Sequence, residues 1–340
     1  MKNGYVANYT LSTDYCHQPD LQALEGIFVE PLSTSTTRTL FPMFSGSKLS
    51  RNNDILLPAP IYWKEEERFV GAEGASIPWA EKHASAIWRG VATGGRNRET
   101  NWRAFQRHRF IAMNNASLLS LAASDPVRHP APNFALPAKQ YPLPPPHNNR
   151  GTDLPAWIAQ KTDISFTDMM CTHDGVPDFS SPCDYNDPYF SPTPQVPLAE
   201  QFQHKFLPDI DGNSFSGRYL GFLRSTSLPI KAALWREWHD ARLVAWKHFV
   251  PMDGRFGDWW GILAYFLGGR KRDRVAEGIA MGGREWAGRA LRKEDMSVYV
   301  LRLLLEYARV VDDDREVMGW VQDLTVNNVD WPPASLGSRG

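Results

Sequence analysis

Three stretches toward the C-terminal end repeat apolar residues at three- and four-residue spacing: Trp259 to Leu267, Arg274 to Leu291 and Met296 to Val311. That period gathers the apolar side chains on one face and predicts three amphipathic helices. Upstream the pattern changes to short apolar runs of strand length. Ser85-Ala86-Ile87-Trp88, Ile164 to Met170, Lys205 to Ile210, Leu228 to Ala232 and Lys247 to Val250 are the strand candidates. Pro229 weakens the fourth, since proline cannot donate to a ladder. A helix is predicted from about Thr100 to Met113, where Trp102, Phe105, Phe110 and Met113 fall near helical spacing, and another runs through Leu223. Strands alternating with helices favour an α/β fold on an open sheet over any all-β arrangement.

Outside this alternating region the texture differs. Residues 1–80 are rich in Ser, Thr, Pro and Gly, with short apolar stretches such as Gly26–Val29 and Asp54–Leu57. They read as loops and short strands, the edge of a domain more than a whole one. Residues 124–155 are proline-dense and include Pro142-Leu143-Pro144-Pro145-Pro146, which predicts an extended surface insertion. After Asp312 the only large aromatic anchors are Trp320 and Trp331, and the tail is expected to fray. No period typical of solenoids or propellers recurs.

Composition narrows the function classes. The 340 residues carry 37 Lys+Arg against 38 Asp+Glu, a net charge of −1, which excludes a generally basic nucleic-acid binder. A hydrophobic content of 42% excludes global disorder. No apolar run reaches the ~18–20 residues that span a bilayer, and MKNGYVANYT carries no signal-peptide core. Cys16, Cys171 and Cys183 form no CxxC pair, so a zinc site is not expected; whether Cys171 and Cys183 bridge the Pro/Asp/Ser-rich loop between them is left open. The cluster Arg96, Arg98, Arg103, Arg107, His108 and Arg109 is expected to be a solvated or phosphate-facing surface, with no RNA-binding signature beside it. Asp209-Ile210-Asp211 has the spacing of a DxD metal motif, but a two-acid spacing is common and no metal is expected there. Trp235, Trp238, Trp246, Trp259 and Trp260 are expected to be mostly core, and His239 and His248 structural.

Candidate chemistry concentrates in two bends of one design. Trp88-Arg89-Gly90-Val91-Ala92-Thr93-Gly94-Gly95 and Asp211-Gly212-Asn213-Ser214-Phe215-Ser216-Gly217-Arg218 each put Gly and hydroxyl residues between a strand and a helix. Small residues let backbone N–H groups approach an anion, and a helix N-terminus adds about half a positive charge. Arg89 and Arg218 add guanidiniums suited to bidentate contact with phosphate oxygens. Neither bend is a P-loop or a dinucleotide fingerprint.

With Phe44-Ser45-Gly46-Ser47-Lys48, Asp54-Ile55-Leu56-Leu57-Pro58, Trp88-Arg89-Gly90, Gly212 to Arg218, Ser225-Thr226-Ser227, Glu237-Trp238 and Trp246 to Pro251, in that order, the chain resembles glycosyltransferase family 90. That family includes capsule-associated proteins and protein O-glucosyltransferases. The helices carrying Gly283-Arg284-Glu285-Trp286 and Tyr299 to Tyr307 continue the likeness, which runs from about Asp14 to Asp312. It implies a GT-B-like fold: one nearly complete Rossmann-like domain over 81–312, a partial N-terminal domain over 1–80, and a tail over 313–340. It further implies an inverting transfer from a UDP-sugar, xylose or glucose, to a glycan or protein hydroxyl in the Golgi or endoplasmic reticulum lumen. No cofactor beyond the donor is implied, and no nucleic acid. By position, Arg89, Gly90, Thr93, Gly212, Ser216 and Arg218 would meet the donor phosphates, and Ser45, Ser47 and Lys48 would line the cleft from the other domain. Two features depart from the pattern. Asp211 stands where animal members have arginine, and the acid that the family is proposed to use as base lies upstream of the Phe44–Lys48 motif, where this chain shows no matching segment. The alternative reading is therefore a truncated, inactive fragment that binds nucleotide sugar or a partner.

Overall fold

The computed structural model describes residues 4–32, 41–71, 74–125, 127–129, 133–134, 153–173, 176–178, 183, 185 and 189–315. Most of the proline-dense stretch and the tail from 316 lie outside them. Residues 1–295 form one compact unit; a second begins at Met296.

Short elements come first: α1 (Tyr9–Ser12), α2 (Gly26–Val29), the parallel strand pair β1 (Phe44–Ser45) and β2 (Ile55–Leu56), α3 (Pro60–Lys64) and α4 (Glu67–Val70). The main sheet is built from β3 (His83–Val91), β4 (Thr162–Asp168), β7 (His204–Ile210), β8 (Leu228–Ala232) and β9 (Val250–Pro251), all parallel, in the order β4-β3-β7-β8-β9. Helices α5 (Gln106–Ala112), α6 (Ala116–Ser124) and α7 (Leu154–Lys161) connect β3 to β4. The hairpin of β5 (Cys171–His173) and β6 (Val176–Asp178) and the short α8 (Leu198–Gln201) lead to β7. α9 (Tyr219–Arg224) joins β7 to β8, and α10 (Trp259–Leu267), α11 (Arg270–Ala290) and α12 (Lys293–Val311) follow β9. The predicted α/β architecture on an open sheet is thus present.

Strand alternation divides the side chains between two faces. Trp88, Phe166, Phe206, Ile230 and Val250 turn to one face and pack with Phe110, Trp259 and Ile262. Ile87 and Leu207 turn to the other and pack with Leu198, Phe202 and Phe222 of the α8–α9 side. Of the expected core tryptophans, Trp238, Trp259 and Trp260 are buried, whereas Trp246 stays 37% exposed. His239 and His248 are buried, as structural histidines should be.

Four local expectations need correction. Gly26–Val29 is one helical turn, not a strand. The helix expected from Thr100 starts only at Gln106: a 3-10 turn over Trp102–Ala104 precedes it, and Phe105 between them is extended. The strand expected over Lys247–Val250 shrinks to Val250–Pro251, because Trp246 adopts a left-handed φ of 65° and turns the chain there. Pro229, by contrast, sits within the central strand β8. In a parallel strand, residues of one parity bond one neighbour. Lys231 accepts from Met252 on the β9 side, so Pro229 faces that side too, and β9 begins only opposite Ile230. The donor that proline lacks therefore has no ladder partner to lose.

Cys171 and Cys183 form a disulfide, Cα to Cα 5.8 Å, which settles the pairing. Tying residues 12 apart in sequence restricts the unfolded chain by about 3 kcal/mol in the loop-entropy account. The double variant Cys171→Ser/Cys183→Ser is expected to lose stability of that order in urea unfolding; a midpoint unmoved at equal slope would refute a stabilising role.

Candidate functional site

The chain leaves β3 for β4 on one side and returns to β7 on the other, so strand order reverses between β3 and β7. In open α/β sheets the crevice beyond the carboxyl ends at such a reversal is where ligands bind. The two glycine-rich bends are the segments that follow β3 and β7, and the fold brings them together there. Asn213 bridges them: Gly94 N–H and Gly95 N–H both donate to its Oδ1, at 2.9 and 3.0 Å. The N–H groups expected to meet an anion are thus already engaged by a side chain. Both glycines have φ of 136°, and a Cβ on Gly95 would stand 2.5 Å from the Glu30 carbonyl oxygen, so neither position accommodates another residue without strain.

The same alternation that buries Ile87, Leu207 and Pro229 brings Arg89, Asp209 and Lys231 onto that face two residues later. Around Arg89 opens a cleft of about 660 Å³, walled by the carboxyl ends of β3 and β4, by α4, by the Phe215–Arg218 bend and by the segment from Gln195 to Gln201. Arg89, Gly90, Thr93, Ser216 and Arg218 line it together. Arg218 donates through Nη1 to the Arg89 carbonyl, and its guanidinium lies 5.4 Å from the Trp88 ring centroid. The Arg89 guanidinium turns to the edge strand, donating to Asp163 O at 2.8 Å and Asp163 Oδ1 at 2.5 Å, while its buried Nε has no partner among the described residues. The buried Ser216 Oγ lacks a hydrogen-bond partner of good geometry there as well.

Gly212 lies behind the cleft wall. A Cβ there would come within 2.6 Å of Thr93 Oγ1 and 2.9 Å of Arg107 Nη2, so its smallness serves the packing of one bend on the other. Ser45, Ser47 and Lys48 do not line the cleft. Ser45 Oγ donates to Asp54 Oδ1 at 2.5 Å and Lys48 Nζ to Asp54 O at 2.8 Å. Gly46 reaches the cleft only through Phe215, 3.8 Å from where its Cβ would stand.

Local sequence reading missed Arg107 as a cleft residue. Of the 96–109 cluster expected to be a solvated or phosphate-facing surface, Arg107, His108 and Arg109 are all buried, which corrects its solvated reading. Arg107 ties both bends: Nη1 donates to Val91 O at 2.9 Å and Thr93 Oγ1 at 2.5 Å, Nε to Asp211 O at 3.0 Å, and Nη2 to Ile210 O at 3.1 Å. Burial, then the neighbouring Arg218 cation, lowers its pKa to about 9. Arg218 is lowered too, by desolvation against the opposing pull of Asp209. Asp209 and Asp211 are buried and point inward. Asp211 Oδ2 accepts from Leu234 N–H and Trp235 N–H at 2.6 and 3.0 Å, and burial pushes its carboxyl up to about 8. Instead of facing a ligand, this acid caps the turn after β8. Glu25, at the start of α2, is likewise raised to about 8 by burial, against the pull of Arg109.

Arg68, Arg89, Arg107 and Arg218 thus stand in one cleft whose described lining residues include a single carboxylate, Glu67, with Arg68 also paired to Glu66 and Arg89 to Asp163. Such a surplus of guanidinium, partly desolvated, suits an anionic group with several oxygens. The glycosyl transferase family 90 model matches residues 160–330, half of the chain, and takes in the second bend and α8 to α11. The chain belongs to glycosyl transferase family 90. It is 23% identical over 289 residues to O-glucosyltransferase rumi of Drosophila pseudoobscura pseudoobscura, an alignment covering 79% of this chain and 55% of that protein. The chain therefore spans about half the length of this curated relative.

Proposed function

We propose that the chain transfers a sugar from a nucleoside-diphosphate donor, a UDP-sugar carrying glucose or xylose, to a hydroxyl of a glycan or protein, with inversion. The observation that carries this is the meeting of two small-residue bends at the strand-order reversal, with Arg218 and Arg107 in one cleft. Arg218, Arg107 and Ser216 would hold the diphosphate, and Gly90 and Thr93 would border it. The parallel sheet would be the donor half of a GT-B pair, residues 1–80 belonging to the facing half. The name of the rumi relative favours O-linked glucose as the product, and the Cys171–Cys183 disulfide favours an oxidising lumen such as the endoplasmic reticulum or Golgi. Among the described residues no helix is long and apolar enough to cross a membrane.

An inverting transfer needs a carboxylate within hydrogen-bond reach of the acceptor hydroxyl, as well as charge stabilisation on the leaving diphosphate. Among the described residues the cleft offers guanidiniums for the second but for the first only Glu67, which is exposed on α4. That scarcity favours a second reading, nucleotide binding without transfer. Calorimetric titration with UDP, followed by assay of UDP release from UDP-glucose and UDP-xylose, separates them. Binding with release supports the enzyme, and binding without release supports the second reading. A chain that does not take up UDP at all refutes both.

A further inference from the structure

At the end of the cleft formed by α8 and the segment before it, Gln201 is 4% exposed. Its Nε2 donates to the Val196 carbonyl at 2.7 Å. A carbonyl only accepts, so this bond fixes the amide nitrogen there and turns Oε1 the other way. Oε1 is buried and has no hydrogen-bond partner among the described residues. Gln201, Val196 and Pro197 line the same cleft as Arg218.

A buried acceptor without a donor is costly, and native proteins leave few of them. The cleft's charged groups are mostly cationic donors, which call for an anionic ligand. Gln201 Oε1 calls for the opposite, a group that gives a hydrogen bond. A ligand that satisfies both is anionic toward Arg218 and carries an N–H toward α8. The cleft volume, about 660 Å³, is within the range of sites that enclose a molecule of nucleotide size.

We infer that Gln201 is a specificity-determining residue: its Oε1 accepts the N3–H of a uracil ring. Uracil presents that single ring donor between two carbonyls, so an acceptor placed there admits the imide N–H and rejects a ring in which it is blocked. The assignment deepens the nucleotide reading given above and rests on it. Nothing in the local sequence points to Gln201, which stands between Glu200 and Phe202.

The experiment compares UDP with N3-methyluridine diphosphate by calorimetry on the unaltered chain, which avoids any question of folding. The methylated nucleotide is expected to bind at least about tenfold more weakly, because a buried acceptor then stays unpaired. Gln201→Leu is expected to bring UDP down to the same level and erase the difference. If the two nucleotides bind within about twofold of each other on the unaltered chain, the Gln201 assignment is overturned while the nucleotide reading stands. If UDP itself does not bind, the nucleotide reading is overturned and the assignment goes with it.

Discussion

Arg218→Ala is expected to weaken UDP binding by roughly 10- to 150-fold, with the fold intact. The estimate follows from the loss of charge-assisted hydrogen bonds to a diphosphate, worth roughly 1.5–3 kcal/mol in a partly desolvated site. Arg218 stands at the start of α9 with its guanidinium against Trp88 and Phe222, at 5.4 and 5.6 Å from the ring centroids. Both rings hold the guanidinium in the cleft before any ligand arrives, so little ordering remains to be done on binding. Arg218→Lys should recover only part of the affinity, since an ammonium gives a point charge where the planar fork gives two parallel donors. Circular dichroism and the thermal midpoint serve as the control, because the alanine variant also loses the bond from Nη1 to the Arg89 carbonyl. Unchanged UDP affinity in a folded variant would remove Arg218 from the site and leave the cleft without its central cation.

The contrast between Arg218 and Arg107 shows what the amino-acid sequence can convey. Arg218 is legible because it closes a run of Gly, Asn and Ser between an apolar strand and an apolar helix, a pattern contained in one stretch of chain. Arg107 acts on Val91, Ile210 and Asp211, from two strands far apart in sequence. Its role follows only once β3 and β7 are neighbours, and strand order is a property of the whole sheet. Arg89 shows the converse: its position is legible, but its guanidinium is drawn to Asp163 because β4 pairs at that edge. Ser45 and Lys48 fare likewise, since Asp54 on the adjoining loop takes both side chains. The periodic helix α10 is legible to the residue, and α11 and α12 are legible except for their first three or four residues, whereas the short turns of residues 1–80 are not, because two-to-five-residue elements are set by tertiary contacts more than by propensity.

Lys231→Met is expected to be the most destabilising single change outside the apolar core, about 3–5 kcal/mol at neutral pH, the usual cost of breaking a buried pair from one side. Lys231 is 1% exposed, with Nζ 3.3 Å from Asp240, 3.7 Å from Glu237 and 3.8 Å from the Tyr219 ring centroid. Burial lowers its pKa, but Asp240, Tyr9, Tyr219 and Glu237 outweigh burial and hold it well above the ordinary value. Methionine fills similar volume without the charge. The acids that remain then fix the pH dependence. Asp240 is pushed up by burial, yet Lys231 and His239 hold it below the ordinary range. Its contribution is therefore present above the unfolded carboxylate value of about 3.9 and lost as pH falls through the folded one. Asp209 and Glu237 are raised by burial despite Lys231, so their contribution is full in acid and is lost as pH rises. Removing Lys231 cancels the first contribution and enlarges the second loss. The stability gap between variant and parent should thus be widest at pH 7 and narrow toward pH 3.5, in urea unfolding at both. A gap that is small, or equal at the two values, would show that Lys231 does not hold this cluster together. The consequence reaches the cleft, because the Tyr62 hydroxyl of α3 donates to Glu237 and α4, which follows at once, walls the site with Glu67, Arg68 and Phe69. A variant that survives folding should therefore also bind UDP more weakly than its parent.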